Sequence, residues 1–296
     1  MKPQYKMKRY LMLATLLGGL LPLQAQHQTS LFDSTSVTME ESGLSHVIHH
    51  ERIRVDDNTG CRNNTVLKID YDPLSAYVEF RHVAVYHRTT GKTETLYHNG
   101  KGAQVYDYVA PARLIYWGAS QKMIQIGHLD PGDEIEYTTY RKGFTYALLS
   151  DDDSRYIPPM RGHFYDIVPF WSTQPVQKRV YRITLPISKT LQYEIYNDPK
   201  NTVQSKRSVF GEKQSFTFSA NDIQPLTLEP RTLEHNDIEP KLLLSTAPDW
   251  QSKSTWFYGV NENYGSFVAT PEVRTMVDEL LRDADRKSTR LNSSHL

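Results

Sequence analysis

Residues 129–140, LDPGDEIEYTTY, decide the fold class. The opening LDPGD predicts a tight turn, because the proline is preset for the first corner and the glycine is free to take a positive φ at the second. After the turn, Ile135, Tyr137 and Thr139 alternate with polar or acidic residues and therefore share one face of a strand. The stretch predicts an antiparallel strand with one buried face.

Short strands of the same kind recur on both sides of this stretch, and helical periodicity is almost absent before residue 270. The predicted strands are residues 46–55, 78–87, 94–97, 112–117, 122–126, 134–140, 164–170, 180–185, 191–196 and 214–219. Many short strands at close spacing are typical of an all-β protein. The sequence therefore predicts an antiparallel β-sandwich over residues 45–262, with Tyr137, Ile183 and Leu185 facing inward.

One amphipathic helix is predicted after the strands. Thr270 is a good N-cap, proline follows at the first helical position, and Glu272 places an acid in the first turn. Apolar residues at helical spacing then form one stripe: Val273, Met276, Val277, Leu280, Leu281 and Ala284. A stripe of this width must be buried against something. Either the helix packs back on the sandwich, or it is the first element of a further domain.

The N-terminal end predicts export. Lys2, Lys6, Lys8 and Arg9 precede an apolar run at residues 11–23, and a small residue follows at the expected cleavage point. This is the pattern of a secretory signal peptide over residues 1–25; the run is too short for a membrane anchor. We therefore expect a periplasmic or extracellular protein without a membrane span, beginning with a polar N-terminal segment at residues 26–44.

The C-terminal end predicts an artefact. Residues 285–296 read DRKSTRLNSSHL, and their first eleven residues back-translate into one reading frame of a common sequencing-library adapter. We interpret this segment as translated read-through at the end of a DNA fragment. The native sequence is then expected to run to Ala284 and to continue beyond it in the intact gene.

Composition excludes several classes of protein. Lys and Arg total 34, as do Asp and Glu, so no basic excess points to a nucleic-acid partner. Cys61 is the only cysteine, which excludes an intrachain disulfide and a multi-cysteine zinc site.

Three stretches resemble a known family. Residues 78–96, 129–137 and 170–186 contain a hairpin, a turn-and-strand and an aromatic run that resemble the β domain preceding transglutaminase-like domains in exported bacterial proteins, catalogued as domain of unknown function 3857. In such proteins a helix like the predicted one begins the transglutaminase-like part. The resemblance implies that residues 263–284 are a linker and the first helix of a truncated transglutaminase-like domain.

The resemblance also implies a function. The Cys, His and Asp that would carry peptidase or acyl-transfer chemistry belong to the missing domain, so none of them maps onto this sequence. We expect a non-catalytic module that positions or selects substrate for that domain, which is its partner in the same chain. The fragment itself is not expected to be an enzyme, although the intact protein would be a transglutaminase-like cysteine peptidase or acyltransferase.

Candidate reactive and metal-binding residues have simpler interpretations. Cys61 follows a turn glycine and has no base near it in sequence, so we interpret it as a structural thiol. His46 and His50 would share one strand face while His49 points away, which favours solvated histidines over a metal site. Residues 151–153, three aspartates, lack the alternating oxygens and the glycine of a calcium loop and are interpreted as an exposed acidic loop. No cofactor, catalytic residue or metal ligand is predicted.

Aromatic residues leave a second function open. Trp117, Tyr165 and Trp171, together with Phe164 and Phe170, are either core residues or a platform for a sugar. The alternative function is therefore a self-standing cell-envelope module that binds a glycan or a protein through exposed aromatics, with Trp117, Tyr165 and Trp171 as candidate ligand contacts.

Overall fold

Strands make up most of the residues that the structure describes. The computed structural model describes residues 26–109, 120–145, 162–227, 235–263 and 269–282. These residues fall into two compact units, one reaching to Thr246 and the other starting at Ala247. The predicted all-β class is confirmed.

The first unit contains all of the described strands and two short helices. The strands are β1 (Gln28–Met39), β2 (Ser45–Val55), β3 (Val66–Tyr71), β4 (Ala76–His87), β5 (Lys92–His98), β6 (Lys101–Gly102), β7 (Val105–Val109), β8 (Ser120–Gln125), β9 (Glu134–Gly143), β10 (Tyr165–Pro169), β11 (Val176–Pro186), β12 (Gln192–Tyr196), β13 (Gln204–Phe210), β14 (Lys213–Ile223) and β15 (Lys241–Ser245). The helices are α1 (Asn58–Asn63) and α2 (His235–Ile238).

The strands form one wide sheet and two narrow ones. The wide sheet has nine strands in the order β13-β14-β11-β1-β2-β9-β4-β5-β6, and the narrow sheets have the orders β10-β15-β12 and β3-β8-β7. Among the paired strands that the structure describes, β1 and β11 run parallel and the other pairs run antiparallel. The sandwich is thus a wide layer covered by two short ones.

Both hydrophobic clusters lie on the same face of the wide sheet. Val37 of β1 is opposite Val47 of β2, and alternate β2 residues keep that face up to Val55. Val37 belongs to the cluster under the β10-β15-β12 sheet, together with Ile183, Phe218 and residues of β15. Val55 belongs to the cluster under the β3-β8-β7 sheet. We call this shared side of the wide sheet the inner face.

The predicted turn and inward positions are confirmed. Gly132 has a φ of +94°, and the amide of Asp133 donates to the carbonyl of Asp130 at 3.0 Å. Ile183 and Leu185 are fully buried, and Tyr137 lies on the same inner face of the sheet. The strand predicted at residues 112–117 lies outside the described residues.

The structure changes the predicted boundary between the polar N-terminal segment and the sandwich. Residues 26–44 contain β1, which lies between β2 and β11 near the middle of the wide sheet. The sequence of β1 is mostly polar. Its outer face carries Ser and Thr, and its inner face carries Asp33 and Thr35 in addition to the buried Val37 and Met39. The sandwich therefore begins at β1 rather than at residue 45.

The second unit consists of helices. The predicted helix is confirmed as α4 (Pro271–Arg282), and the Thr270 hydroxyl caps it by accepting from the amide of Val273 at 3.3 Å. An unpredicted helix, α3 (Trp250–Asn263), precedes it, with the Asp249 carboxylate accepting from the amide of Ser252 at 2.6 Å.

The apolar stripe of α4 is exposed. Its side chains range from 41% to 63% exposed at Val273, Met276, Val277, Leu280 and Leu281. Within the described ranges, no helix is long and apolar enough to cross a membrane.

Candidate functional site

A polar network fills the gap between the two hydrophobic clusters on the inner face. Its members come from four strands of the wide sheet, and register places them side by side: Asp33 lies opposite both Arg179 and Glu51, and Glu51 lies opposite Tyr137. His49, two residues before Glu51, completes the set. We call Asp33, His49, Glu51, Tyr137 and Arg179 the inner polar network.

Asp33 is the centre of this network. Its carboxylate accepts from Nε2 of His49 at 3.1 Å and from Nε of Arg179 at 2.8 Å. Burial alone would raise the pKa of Asp33, but the His49 hydrogen bond and the Arg179 charge hold that pKa below its usual range. The guanidinium of Arg179 also donates to the carbonyls of Pro169 and Trp171, at 2.9 Å each, and so fixes the segment after β10.

Glu51 and Tyr137 form the second half of the network. Glu51 accepts hydrogen bonds from the hydroxyls of Ser30, at 3.0 Å, and Tyr137. Burial, and then the charge of Glu51, raise the pKa of Tyr137, so the phenol stays protonated. The Tyr137 ring stands edge-on to His49, with 5.7 Å between the ring centroids.

His49 connects the network to a cavity. Burial alone would lower its pKa, but the hydrogen bond and charge of Asp33, helped by Glu51, raise the pKa above its ordinary value. The side chain is 30% exposed, and it opens on a cavity of about 370 Å³ that we call the His49 cleft. The cleft is lined by Val47, His49, Ile69, Asp70, Tyr71, Asp72, Val78, Thr139 and Arg141.

The predicted alternation of the histidines is observed, and His49 differs from the other two in facing the inner side of the sheet. His46 and His50 lie on the outer face and contact Glu40 at 2.7 Å and Glu136 at 2.8 Å. His49 faces inward, and its acidic partner, Asp33, lies on a different strand. The spacing of residues within one strand therefore could not predict this contact. Among the described residues, no group of three or more His, Cys, Asp or Glu side chains is arranged to hold a metal ion.

Cys61 has the surroundings of an inert thiol. It lies on α1, which is capped by Asp57, and it is only 7% exposed within the cluster under the β3-β8-β7 sheet. Burial, followed by the charges of Asp133 and Asp130, raises the pKa of the Cys61 thiol. Since the thiolate is the nucleophilic form, these surroundings oppose nucleophilic chemistry.

The candidate aromatic residues do not come together where the structure describes them. Tyr165 begins β10, and Trp171 follows the end of that strand, so the two lie at opposite ends of a five-residue strand. Phe164 and Phe170 are buried in the core. Trp117 and the acidic residues 151–153 lie outside the described residues.

Trp171 lines a second cavity. This cavity has a volume of about 650 Å³, and we call it the Trp171 pocket. Its polar lining includes Asn197, Asp198, Asn221 and Asp222. Arg179 reaches this segment as well, through its hydrogen bond to the Trp171 carbonyl.

Fold and cleft define a class of protein: an all-β sandwich domain with a polar cleft between two hydrophobic clusters, followed in sequence by an amphipathic helix. Within this class the chain belongs to the family described as a domain of unknown function with solved structure, DUF3857, whose profile matches residues 41–227. The family resemblance noted in the sequence is therefore confirmed.

A solved structure of a longer protein shares the fold. A proposed protease from Parabacteroides distasonis ATCC 8503 matches with a TM-score of 0.68 and 14% identity, covering 90% of this chain and 48% of the other. An M1 zinc metallopeptidase from Deinococcus radiodurans matches with a TM-score of 0.36 and 10% identity, covering 74% of this chain and 42% of the other. The chain thus spans about half the length of these proteins or less. No curated protein matches it.

Proposed function

We propose that this chain is the non-catalytic β-sandwich module of an exported transglutaminase-like protein, and that it positions or selects substrate for a catalytic domain of the same protein. The observation that carries the proposal is the exposed apolar stripe of α4, where Met276 is 63% and Leu280 is 60% exposed. Such a stripe needs a partner. The Parabacteroides protein with the same fold is about twice as long and is described as a protease, which agrees with a further domain.

The described residues support a non-catalytic role. His49 and Asp33 resemble the base and orienting acid of a hydrolase, but nucleophilic catalysis also needs a hydroxyl or thiol within hydrogen-bond reach of the base. No described serine, threonine or cysteine makes a hydrogen bond to His49. Cys61 is buried in a hydrophobic cluster and has a raised thiol pKa.

A comparison of the fragment with the intact protein tests this proposal. The genomic sequence beyond the codon for Ala284 is read, and residues 26–284 and the complete exported protein are purified. We expect thiol-dependent peptidase or transamidase activity only in the complete protein, and Cys61→Ala should change stability alone. Turnover by the fragment that disappears in Cys61→Ala would place the nucleophile inside the β domain and refute the proposal.

The stripe of α4 provides a second test in the same proteins. Leu280→Glu should leave the melting temperature of the fragment unchanged, because the side chain is exposed there. In the complete protein it should lower the melting temperature and the activity, since a charge would enter the helix's partner surface. Glu279→Gln, one residue away on the exposed helix, is the matched control and should have no effect in either protein.

The Trp171 pocket supports the second candidate function, binding of an envelope glycan or protein. Trp171 lies beside amide and carboxylate side chains, including Asn221 and Asp222, in a cavity of about 650 Å³. Stacking on an aromatic ring combined with polar side chains is how proteins commonly hold sugars. Binding of the fragment to a cell-envelope glycan, lost in Trp171→Ala and kept in Trp250→Ala, would favour this function over the first.

A further inference from the structure

Charges of opposite sign lie on different elements around the His49 cleft. The wide sheet contributes His49 and Arg141, and the residue directly after β3 contributes the carboxylate of Asp72. Between them lie the apolar side chains of Val47, Ile69 and Val78. A cavity with separate cationic and anionic walls fits a small molecule that carries both charges.

The two cationic side chains can act on one group. His49 lies opposite Thr139 in the β2–β9 register, and Arg141 follows two residues along β9 on the same face. Diagonal neighbours of this kind have Cβ atoms about 7–8 Å apart, which long side chains span easily. Their side chains can therefore converge on a single carboxylate.

Both cations have donors to spare. Nε2 of His49 is hydrogen-bonded to Asp33, and Nδ1 has no hydrogen bond among the described residues. The charges of Asp33 and Glu51 favour the protonated ring, in which Nδ1 carries a proton. Arg141 is exposed in the cleft; its charge acts on the carboxylate of Asp166, but within the described part of the chain it makes no hydrogen bond or close ion pair. Arginine and protonated histidine are strong donors to a carboxylate.

The anionic wall is rigid but not saturated. Asp70 alternates with the inward-facing Ile69, so its carboxylate lies on the outer side of β3, where it accepts from the Gln121 amide at 2.6 Å; Asp72 is the carboxylate that faces the cleft. Asp72 accepts from the amide of Leu74 at 2.9 Å and from the hydroxyl of Ser75 at 3.1 Å. A carboxylate offers about four lone-pair positions, so Asp72 can still accept from an ammonium group while its own neighbours hold it in place.

We propose that the His49 cleft binds the zwitterion of an α-amino acid or a dipeptide. The carboxylate binds Arg141 and His49, the ammonium group binds Asp72, and an aliphatic side chain packs on Val47, Ile69 and Val78. The volume of about 370 Å³ suits a ligand of this size. The inference goes beyond the proposed function and needs no catalytic domain, because every contact belongs to this β domain.

Calorimetric titration of the purified fragment tests the proposal with four probes. L-leucine carries both charges, L-leucinamide lacks the carboxylate, N-acetyl-L-leucine lacks the ammonium group, and L-leucyl-L-leucine separates the two charges by one further residue. We expect leucine or the dipeptide to bind, and the tighter of the two identifies the natural length. Removal of either charge should weaken binding at least about tenfold, since a charge-assisted hydrogen bond is lost in a partly buried site.

Variants locate the site. Arg141→Gln should weaken binding of the better probe about tenfold without unfolding the protein, because the side chain is exposed. Lys142→Gln is the matched control: it removes a cation from the next residue, which faces the outer side of the same strand, and should leave binding unchanged. The proposal is overturned if leucinamide binds as well as leucine, if Arg141→Gln and Lys142→Gln behave alike, or if neither zwitterion binds at about 10 mM.

Discussion

At the scale of single residues, Asp33 ties three strands together. Its two partners, His49 and Arg179, stand on β2 and β11, the neighbours of β1 on either side. The bond between Asp33 and His49 makes stability depend on pH in both directions. The pKa of His49 is raised, so its contribution is complete below an unfolded value near 6.5 and is lost as pH rises through the folded pKa. The pKa of Asp33 is lowered, so its contribution is lost as pH falls below about 4.

His49→Gln should therefore destabilise the protein more at pH 5.5 than at pH 8.5. We expect a loss of about 1.5–3 kcal/mol on the acidic side, the size of a hydrogen bond to a charged group, and a smaller loss on the alkaline side. Urea unfolding of both proteins at the two pH values measures these losses in the free energy of unfolding. His128→Gln removes a histidine whose side chain is 87% exposed and should show no such difference. Equal losses at the two pH values would mean that His49 stays neutral.

The backbone conformation of Gly132 leads to a second prediction for a single residue. Its φ of +94° is unfavourable for any residue with a Cβ, and an added Cβ would lie 2.6 Å from Cδ of Arg88. Gly132→Ala should cost about 1–3 kcal/mol, seen as a lower melting temperature. Gly259→Ala on α3 is the control, because an added Cβ there meets no atom within 4 Å. That variant should be neutral or slightly stabilising, as helix propensity favours alanine.

The turn at Gly132 and the inward faces of β9 and β11 followed from sequence because their signals are local. The inner polar network did not. Asp33, Glu51 and Arg179 occupy inward positions, where charges are normally excluded, and each is paired with a residue on another strand. Only the register of the wide sheet brings these partners together. The available signal was a charge at an inward position of an otherwise alternating strand.

At the scale of elements, β1 was missed for a related reason. Period-two patterning identifies a strand when one face is apolar, and β1 shows that contrast only over its last few residues. The helix α3 also lacks a clear apolar stripe, and so periodicity could not predict it. By contrast, α4 was found from its cap and its stripe, which are both local features.

Substitutions on the two faces of β1 should differ sharply in how much they lower the free energy of unfolding. Val37 is 2% exposed, on a strand between β2 and β11. Val37→Asp would bury an unpaired charge and should lower the free energy of unfolding by about 4 kcal/mol. That loss is enough to unfold much of the protein. Thr38→Asp places the same charge on the exposed outer face and should change stability by about 0.5 kcal/mol or less. Circular dichroism during thermal unfolding measures both. A tolerated Val37→Asp would mean that β1 is not a central strand.

At the scale of the whole first unit, the wide sheet connects two hydrophobic clusters. Ile183 lies in one cluster and Ile135 in the other, and both are fully buried. Each cluster is covered by its own narrow sheet, but both pack on the same wide sheet, whose strands β1 and β2 run through the region between them. The two should therefore unfold together.

Ile135→Ala and Ile183→Ala test this coupling. Each should cost about 2–5 kcal/mol, and each should lower amide-exchange protection in β9 and β11 alike, because a cooperative unit opens as a whole. Native-state hydrogen exchange measures protection strand by strand. If Ile135→Ala weakens only β9 and its neighbours, the clusters belong to separately folding halves.

The parallel pairing of β1 with β11 has a consequence for synthesis. Arg179 follows Asp33 by 146 residues, and a ribosome adding roughly 5–20 residues per second needs roughly 7–30 s to deliver it. During that interval the edge of nascent β1 that will pair with β11 has unpaired amides and carbonyls, which can recruit the same hairpin from a neighbouring ribosome. The yield of this protein in a cell should therefore fall when synthesis of the chain slows between β2 and β11, even though the final free energy of folding is unchanged.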